Sequence, residues 1–479
     1  MLPFAASGWL TNISDGGTNT IVSYEYDNAG RRTKRTLQNS TFTVLEYDNA
    51  SQLTNLWHRQ ISGGSTNTIS RYQYGFDDAG NRTWVKRANG KGDVYKYDAT
   101  DQLTNVLYEA SNPDASPSAW TNAVGYYFDA AGNRTQVVST VSGTSVYAVN
   151  ALNQYTSVGG QGLDYDSNGN LYDSGELFME YDIENRLHYV SRTGGGDTWL
   201  YYDGLGRVAG QDGFNLASFV YDDQWRVIAE YNLDQGGTLS AKYVYGPGID
   251  EVVRMTRNGT NYYYHAAALD TVTEITSTNG TVVERYGYDV YGQPTVFDSA
   301  FNPQPSTAIG NRFLFQGREY DHRHGLYNFR YRYYSPTLGR FVQTDPLGDD
   351  GGLNLYAFSD SNPANLIDPF GLAPSCPCGK SPEFSGAKYA MCFGVCMLTG
   401  GETGMAGIGA GFLAANAAAK YGSGNDRKMA QKYLRRVATK MIIRGGAKLI
   451  PGLGAGLIAA DAVICGVKCK EEALTCPQH

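Results

Sequence analysis

The sequence predicts a mostly β protein built from repeated hairpins, followed by a small α-helical C-terminal segment. Three observations predict it: an aromatic-Asp turn motif recurring at a fixed period, alternating aromatics before each turn, and a change of composition after Leu372. Residues 1–372 hold 34 of the 37 tyrosines, all six tryptophans and no cysteine; residues 373–479 hold all seven cysteines, three tyrosines and no tryptophan. The first part carries 26 Lys and Arg against 41 Asp and Glu, the second 13 against 6. An acidic body and a basic tail attract each other, and a freed tail favours anionic partners.

In chain order, residues 1–19 form a lead-in. "MLPFAASGWLTNISDGG" has neither a basic start nor a long apolar run, so no secretory signal peptide is read there. The implied location is cytoplasmic before export, then secreted or at the cell surface by a route that needs no such signal.

Residues 20–310 repeat themselves. "YEYDNAGRRTKRT" begins at Tyr24, "YGFDDAGNRTWVKR" at Tyr74 and "YYFDAAGNRTQVV" at Tyr126, alternating with "EYDNASQLTNL" and "KYDATDQLTNV". Asp27 to Asp48, Asp77 to Asp98, Asp129 to Asn150 and Asp182 to Asp203 are each 21 residues apart, which marks a repeat architecture. Tyr24 and Tyr26, like Tyr72, Tyr74 and Phe76, alternate as on a strand with one apolar face. The following Asp-x-x-Gly is turn chemistry. The Arg-Thr after it opens the return strand, and its guanidinium is expected to pair with the turn Asp.

These units are YD repeats and resemble those of the Rhs family, which also occur in the C components of insecticidal Tc toxins and in teneurins. The resemblance implies hairpins joined edge to edge into a large spiralling sheet, a hollow or partial shell. A solid β-solenoid or a plain adhesive surface is the alternative that repeats alone leave open.

Residues 311–372 break the period. In "NRFLFQGREYDHRHGLYNFRYRYYSPTLGRFVQTDP" aromatics and arginines interleave. Such interleaving can stack on nucleic-acid bases, but the surrounding body is acidic. Arg–aromatic stacking and Arg–carboxylate pairing inside a sheet is therefore expected, and no nucleic-acid partner. "GREYD", "GLYNFRYRYYSPTLGRF", "TDPLG" and "LNLYAFSDSNPANLIDPFGL" resemble the Rhs repeat-associated core.

Two Asp-Pro-x-Gly copies stand close together, at Asp345 and Asp368, each putting an Asp at a rigid bend. If the two bends meet, repulsion raises one carboxyl's pKa, leaving one acid protonated and its partner ionised, a division suited to peptide hydrolysis. Without a family likeness, good turn sequence accounts for both copies. The resemblance implies a single-turnover aspartyl autoprotease with Asp345 and Asp368 as its acids, Arg340 as a charge partner, and a cut between Leu372 and Ala373. Asp349 and Asp350, where the family often has an apolar residue, are expected to raise the pair's pKa further. No cofactor or metal is implied.

Residues 373–479 lack a His-rich metal set, a phosphate loop or a Cys–His pair. Two uncharged or nearly uncharged Gly/Ala-rich runs, 403–419 and 449–467, flank a basic segment, 420–448, the layout of a helical hairpin for an anionic membrane. A Gly-rich helical bundle is the plainer alternative, since each run is at or below spanning length. Cys392 and Cys396, like Cys465 and Cys469, are four apart and share a helix face, so two such helices can be stapled by disulfides; four-thiolate zinc is the other possibility. The resemblance implies that this tail is cargo, usually a toxin, with an immunity protein and a secretion apparatus as partners. The competing class is a non-enzymatic YD-repeat adhesion or structural surface protein with an inert or anchoring tail.

Overall fold

The computed structural model describes residues 9–213 and 216–374. The tail expected to be helical, with Cys392, Cys396, Cys465 and Cys469, lies outside the described residues.

Every strand pairs with its neighbours in sequence, in three antiparallel sheets. The first has fourteen strands, from Asn12–Ser14 to Gln161–Gly162. The second has fifteen, from Asp164–Tyr165 to Pro303–Gln304, and begins after buried Leu163, where the ladder is interrupted. The third has four: Glu319–Asp321, Leu326–Phe329, Arg332–Ser335 and Arg340–Phe341. Among the described residues no helix is long and apolar enough to cross a membrane.

Each repeat turn is organised by its Asp. Asp27 Oδ1 accepts the Ala29 and Arg31 N–H groups at 3.0 and 2.9 Å, while its carbonyl accepts the Gly30 N–H. Gly30 has a φ of 82°, which explains the glycine. The pairing register shifts one residue before the Asp, between Glu25 and Tyr26, and again between Gly75 and Phe76 and between Tyr201 and Tyr202. This bulge swings the chain into the turn.

The expected Arg–Asp pairing is present, but one residue earlier than the Arg-Thr reading puts it. Arg31, Arg186 and Arg207, each four residues after the Asp, donate Nε to Asp27, Asp182 and Asp203; Asn133 fills the same role for Asp129. The arginine of the Arg-Thr pair starts the return strand, where alternation sends it to the opposite face. There Arg82 lies 4.7 Å from the Tyr74 ring centre and Arg134 lies 3.8 Å from that of Tyr291.

The tyrosine before the Asp joins consecutive units. Tyr47, Tyr97, Tyr202 and Tyr288 each donate O–H to a carbonyl of the preceding unit, at Arg32, Arg82, Leu187 and Val272. A half-buried phenol needs such a partner, and the demand recurs in many units, though Phe76 and Phe128 stand at this place in two others.

Two clusters fasten the sheets together. Ile21, Val22, Tyr24 and Leu37 of the first sheet pack on Val253 and Tyr263 of the second. Leu103, Val106 and Tyr126 pack on Val290, Tyr291 and Ala364. The third sheet has its own aromatic core, in which Phe315, Phe329, Tyr334 and Phe341 surround Phe358, with the Tyr334 and Phe358 rings 4.0 Å apart. Its arginines face internal partners: Arg332 stacks 3.8 Å from the Phe341 ring centre and Arg312 pairs with Glu319 at 2.6 Å.

Candidate active site

Both Asp-Pro-x-Gly copies are β-turns. Gly348 N–H donates to the Asp345 carbonyl at 2.9 Å and Gly371 N–H to the Asp368 carbonyl at 3.1 Å. The closing glycines have φ of 63° and 64°, a left-handed conformation that favours this residue. The acids lie outside the strands, yet both are buried, Asp368 to 1% exposure.

The turns meet at Arg332. Its Nη2 lies 2.9 Å from Asp345 Oδ2 and 3.6 Å from Asp368 Oδ2. Its Nη1 donates to the Leu355 carbonyl, which also accepts the Asp345 N–H, and its Nε donates to the Gly371 carbonyl. One guanidinium thus holds the backbone of both turns and faces both carboxyls.

The peptide between Leu372 and Ala373 lies against this pair. Asp368 Oδ1 accepts the Leu372 N–H at 2.9 Å and the Ala373 N–H at 3.3 Å. On the carbonyl side the gap is set by Gly351. A Cβ added there would be 2.4 Å from Asp345 Oδ2 and 3.0 Å from the Leu372 carbonyl oxygen. The Asp345 carboxyl and that carbonyl therefore face one small space, kept open by the absence of a side chain.

Burial pushes the Asp345 carboxyl up to about 6, with the Asp368 charge adding to the rise and Arg332 and the Leu347 N–H opposing it. Burial also raises Asp368, against Arg332 and the N–H groups of Leu372, Ala373 and Gly371. The main cause is thus desolvation, ahead of repulsion between the acids, and Asp349 and Asp350 are not among its causes. Asp368 Oδ2 is buried without a hydrogen-bond partner among the described residues. A proton shared by the pair relieves the burial of two charges beside one cation.

Asp345, Asp368, Leu372 and Ala373 lie together around Arg332 and Gly351. Arg340 takes a different place. Its Nη1 donates to the Asn153 carbonyl and its Nη2 to Asn133 Oδ1, each at 2.7 Å, and it stacks 3.4 Å from the Tyr155 ring centre. It fastens the third sheet to repeat turns of the first, and the cation beside the acids is Arg332. Sequence reasoning noted Arg332 only as one of an interleaved run, because nothing local separates one arginine of that run from the next.

The teneurin YD-shell family model matches residues 64–364, and the RHS repeat model matches residues 6–41. The chain belongs to the Rhs/YD-repeat family. Among curated relatives it is 32% identical over 260 residues to the tRNA3(Ser)-specific nuclease WapA of Bacillus spizizenii, a match covering 52% of this chain and 11% of that protein. It is 25% identical over 248 residues to toxin subunit YenC1 of Yersinia entomophaga, covering 52% of this chain and 24% of that one. The matched stretch is thus a quarter or less of these relatives' own length. The solved TcdB2-TccC3 complex superposes with a TM-score of 0.63 at 19% identity, over 78% of this chain and 21% of that one, and shares the fold. In this Rhs/YD-repeat chain the acid pair sits where the last core turn hands over to the tail.

Proposed function

We propose that this chain is a toxin-like Rhs shell that cuts itself once, between Leu372 and Ala373, and so frees residues 373–479 as cargo. The observation that carries the reading is the convergence of two buried carboxyls and one guanidinium on that peptide, with Asp368 Oδ1 accepting both of its flanking N–H groups.

In the proposed step Asp345, protonated, polarises the Leu372 carbonyl that it faces, and Asp368, ionised, takes a proton from water. The water oxygen adds to the carbonyl carbon. Asp368 then passes its proton to the Ala373 nitrogen, the C–N bond breaks, and a Leu372 carboxyl and an Ala373 amine remain. Arg332 fixes both turns and steadies the negative charge. The Gly/Ala-rich tail would act on an anionic membrane after export. An immunity protein and a secretion apparatus are the partners that this life cycle requires. Relatives named as toxins support the shell-and-cargo reading.

Intact mass of the purified chain beside Asp368→Asn tests the cut. The expected result is a break after Leu372 in the wild type and an unbroken variant. An unbroken wild type would sink the autoprotease reading and favour a non-enzymatic surface protein. Dye release from anionic liposomes by the freed tail tests the membrane step; no release in either redox state counts against it.

A further inference from the structure

The segment that ends in the scissile peptide is gripped by three successive residues. Arg330 Nη1 donates to the Pro369 carbonyl, Tyr331 N–H to the Phe370 carbonyl at 3.2 Å, and Arg332 Nε to the Gly371 carbonyl. Arg332 belongs to the acid pair. Arg330 does not: it stacks 4.7 Å from the Phe370 ring centre, and both its Nη1 and Nη2 donate to Asp250.

Asp250 lies in the connection between the second-sheet strands Thr238–Tyr245 and Val252–Arg257. Its Oδ1 accepts Arg330 Nη2 at 2.7 Å and Arg318 Nη1 at 2.9 Å, and its Oδ2 accepts Arg330 Nη1 at 3.1 Å. Asp250, Arg318 and Arg330 are all buried, the first to 5% exposure. Two guanidinium groups share one carboxylate here, the reverse of the acid pair, where two carboxyls share one guanidinium. Arg330 also has a φ of 65°, a conformation costly for a residue with a side chain and kept only where its surroundings hold it. Gly317 packs against the same residue: a Cβ there would be 2.4 Å from the Asp250 carbonyl oxygen.

We propose that Asp250 is a positioning residue for self-cleavage, acting through Arg330 to set the Pro369–Gly371 backbone so that the Leu372–Ala373 peptide meets the acids. This rests on the autoprotease reading above. It ties the cut to the repeat body, because Asp250 is in place only when the second sheet has formed its corner at residues 246–251. A body that has not closed this corner leaves Arg330 without its anchor and the peptide out of register. Misplacement of a reacting bond by about an ångström is enough to slow a reaction by roughly a hundredfold.

The test uses the full chain made by cell-free translation, followed by intact mass over time at a series of pH values. Asp250→Asn weakens the anchor; Arg330→Lys keeps the charge but loses the two-pronged grip and is the second variant if the first does not reach a protease-resistant fold. Both are expected to cut about tenfold more slowly or worse, with the same pH midpoint as the wild type, since the acids and Arg332 are untouched. Folded variants that cut at the wild-type rate would overturn the proposal, even if their melting temperature fell. A shifted pH midpoint would overturn it too, because the effect would then be on the acids' charge. A wild type that never cuts removes the autoprotease reading itself, and this proposal with it.

Discussion

The repeat turns and the core turns use the same device to different ends. In both, an Asp at a bend closes a glycine turn through its carbonyl and accepts backbone N–H groups through Oδ1. In repeat turns such as those at Asp182 and Asp203, the Asp has an arginine of its own four residues on, and the pairs remain partly wet: Asp203 and Arg207 keep 25% and 18% of their side-chain surface. Those carboxyls are held below their ordinary range, where burial is outweighed by the arginine and the turn N–H groups. In the core, two Asp side chains with 4% and 1% exposure share one arginine, and both are raised. Turn geometry alone is structural. Withdrawing water and halving the number of cations turns it into an acid pair.

The comparison breaks most sharply on substitution of the acids. Asp345→Asn or Asp368→Asn should lower the cleavage rate on the order of a thousandfold or more, read by intact mass. Asp203→Ala in a repeat turn should leave the cut intact and cost about 1 kcal/mol in chemical denaturation. If Asp203→Ala abolished the cut, the two kinds of turn would not be separable.

Gly351→Ala should come next. Its methyl group would sit against Asp345 Oδ2 and the Leu372 carbonyl, and a loss of roughly a hundredfold in rate is expected with the fold retained. A rate within about twofold of wild type would mean that the Asp345 carboxyl does not work in that gap.

The pH response should differ in sign between the acid pair and the arginine-paired repeat turns. Asp345 keeps its proton to about 6, against an ordinary 3.8, so the folded state binds more protons between these values. Its contribution to stability therefore falls as pH rises through that window. The proposed cleavage step needs one proton in the pair, so its rate should fall as pH rises through about 6. Asp182 and Asp203, held below 3.8, stabilise above that value and lose their contribution as pH falls. A cleavage rate flat from pH 5 to 8 would argue against a shared proton.

The smallest effect belongs to a single stitch. Tyr202→Phe removes the O–H donated to the Leu187 carbonyl and should cost about 1 kcal/mol by denaturation, without change in cleavage.

How much was legible follows from how local each feature is. The hairpins could be read because strand, bulge, Asp and Gly lie within a dozen residues of one another, and the period repeats the evidence. The two acids could be read because each carries its own Pro and Gly. Arg332 could not, since its role depends on where the Leu355 carbonyl and the second turn arrive from elsewhere in the chain. Arg340 was singled out for its nearness to Asp345 in sequence, yet strand pairing carries it to Asn133 and Asn153, about two hundred residues upstream. The assignment of Asp to the Arg-Thr arginine failed by one position, and on a strand one position is the other face.

Because each strand's ladder partners are its neighbours in sequence, strand pairing involves no long-range partner choice. A duplicated two-strand unit would bring its own turn, and a duplicated or deleted one would leave the other hairpins' internal pairings as they were. Length can then change in whole units, as long as the contacts made across the chain are kept, among them Asp250 on Arg330, Arg340 on Asn133 and the packing of Ile21 on Val253 and Tyr263.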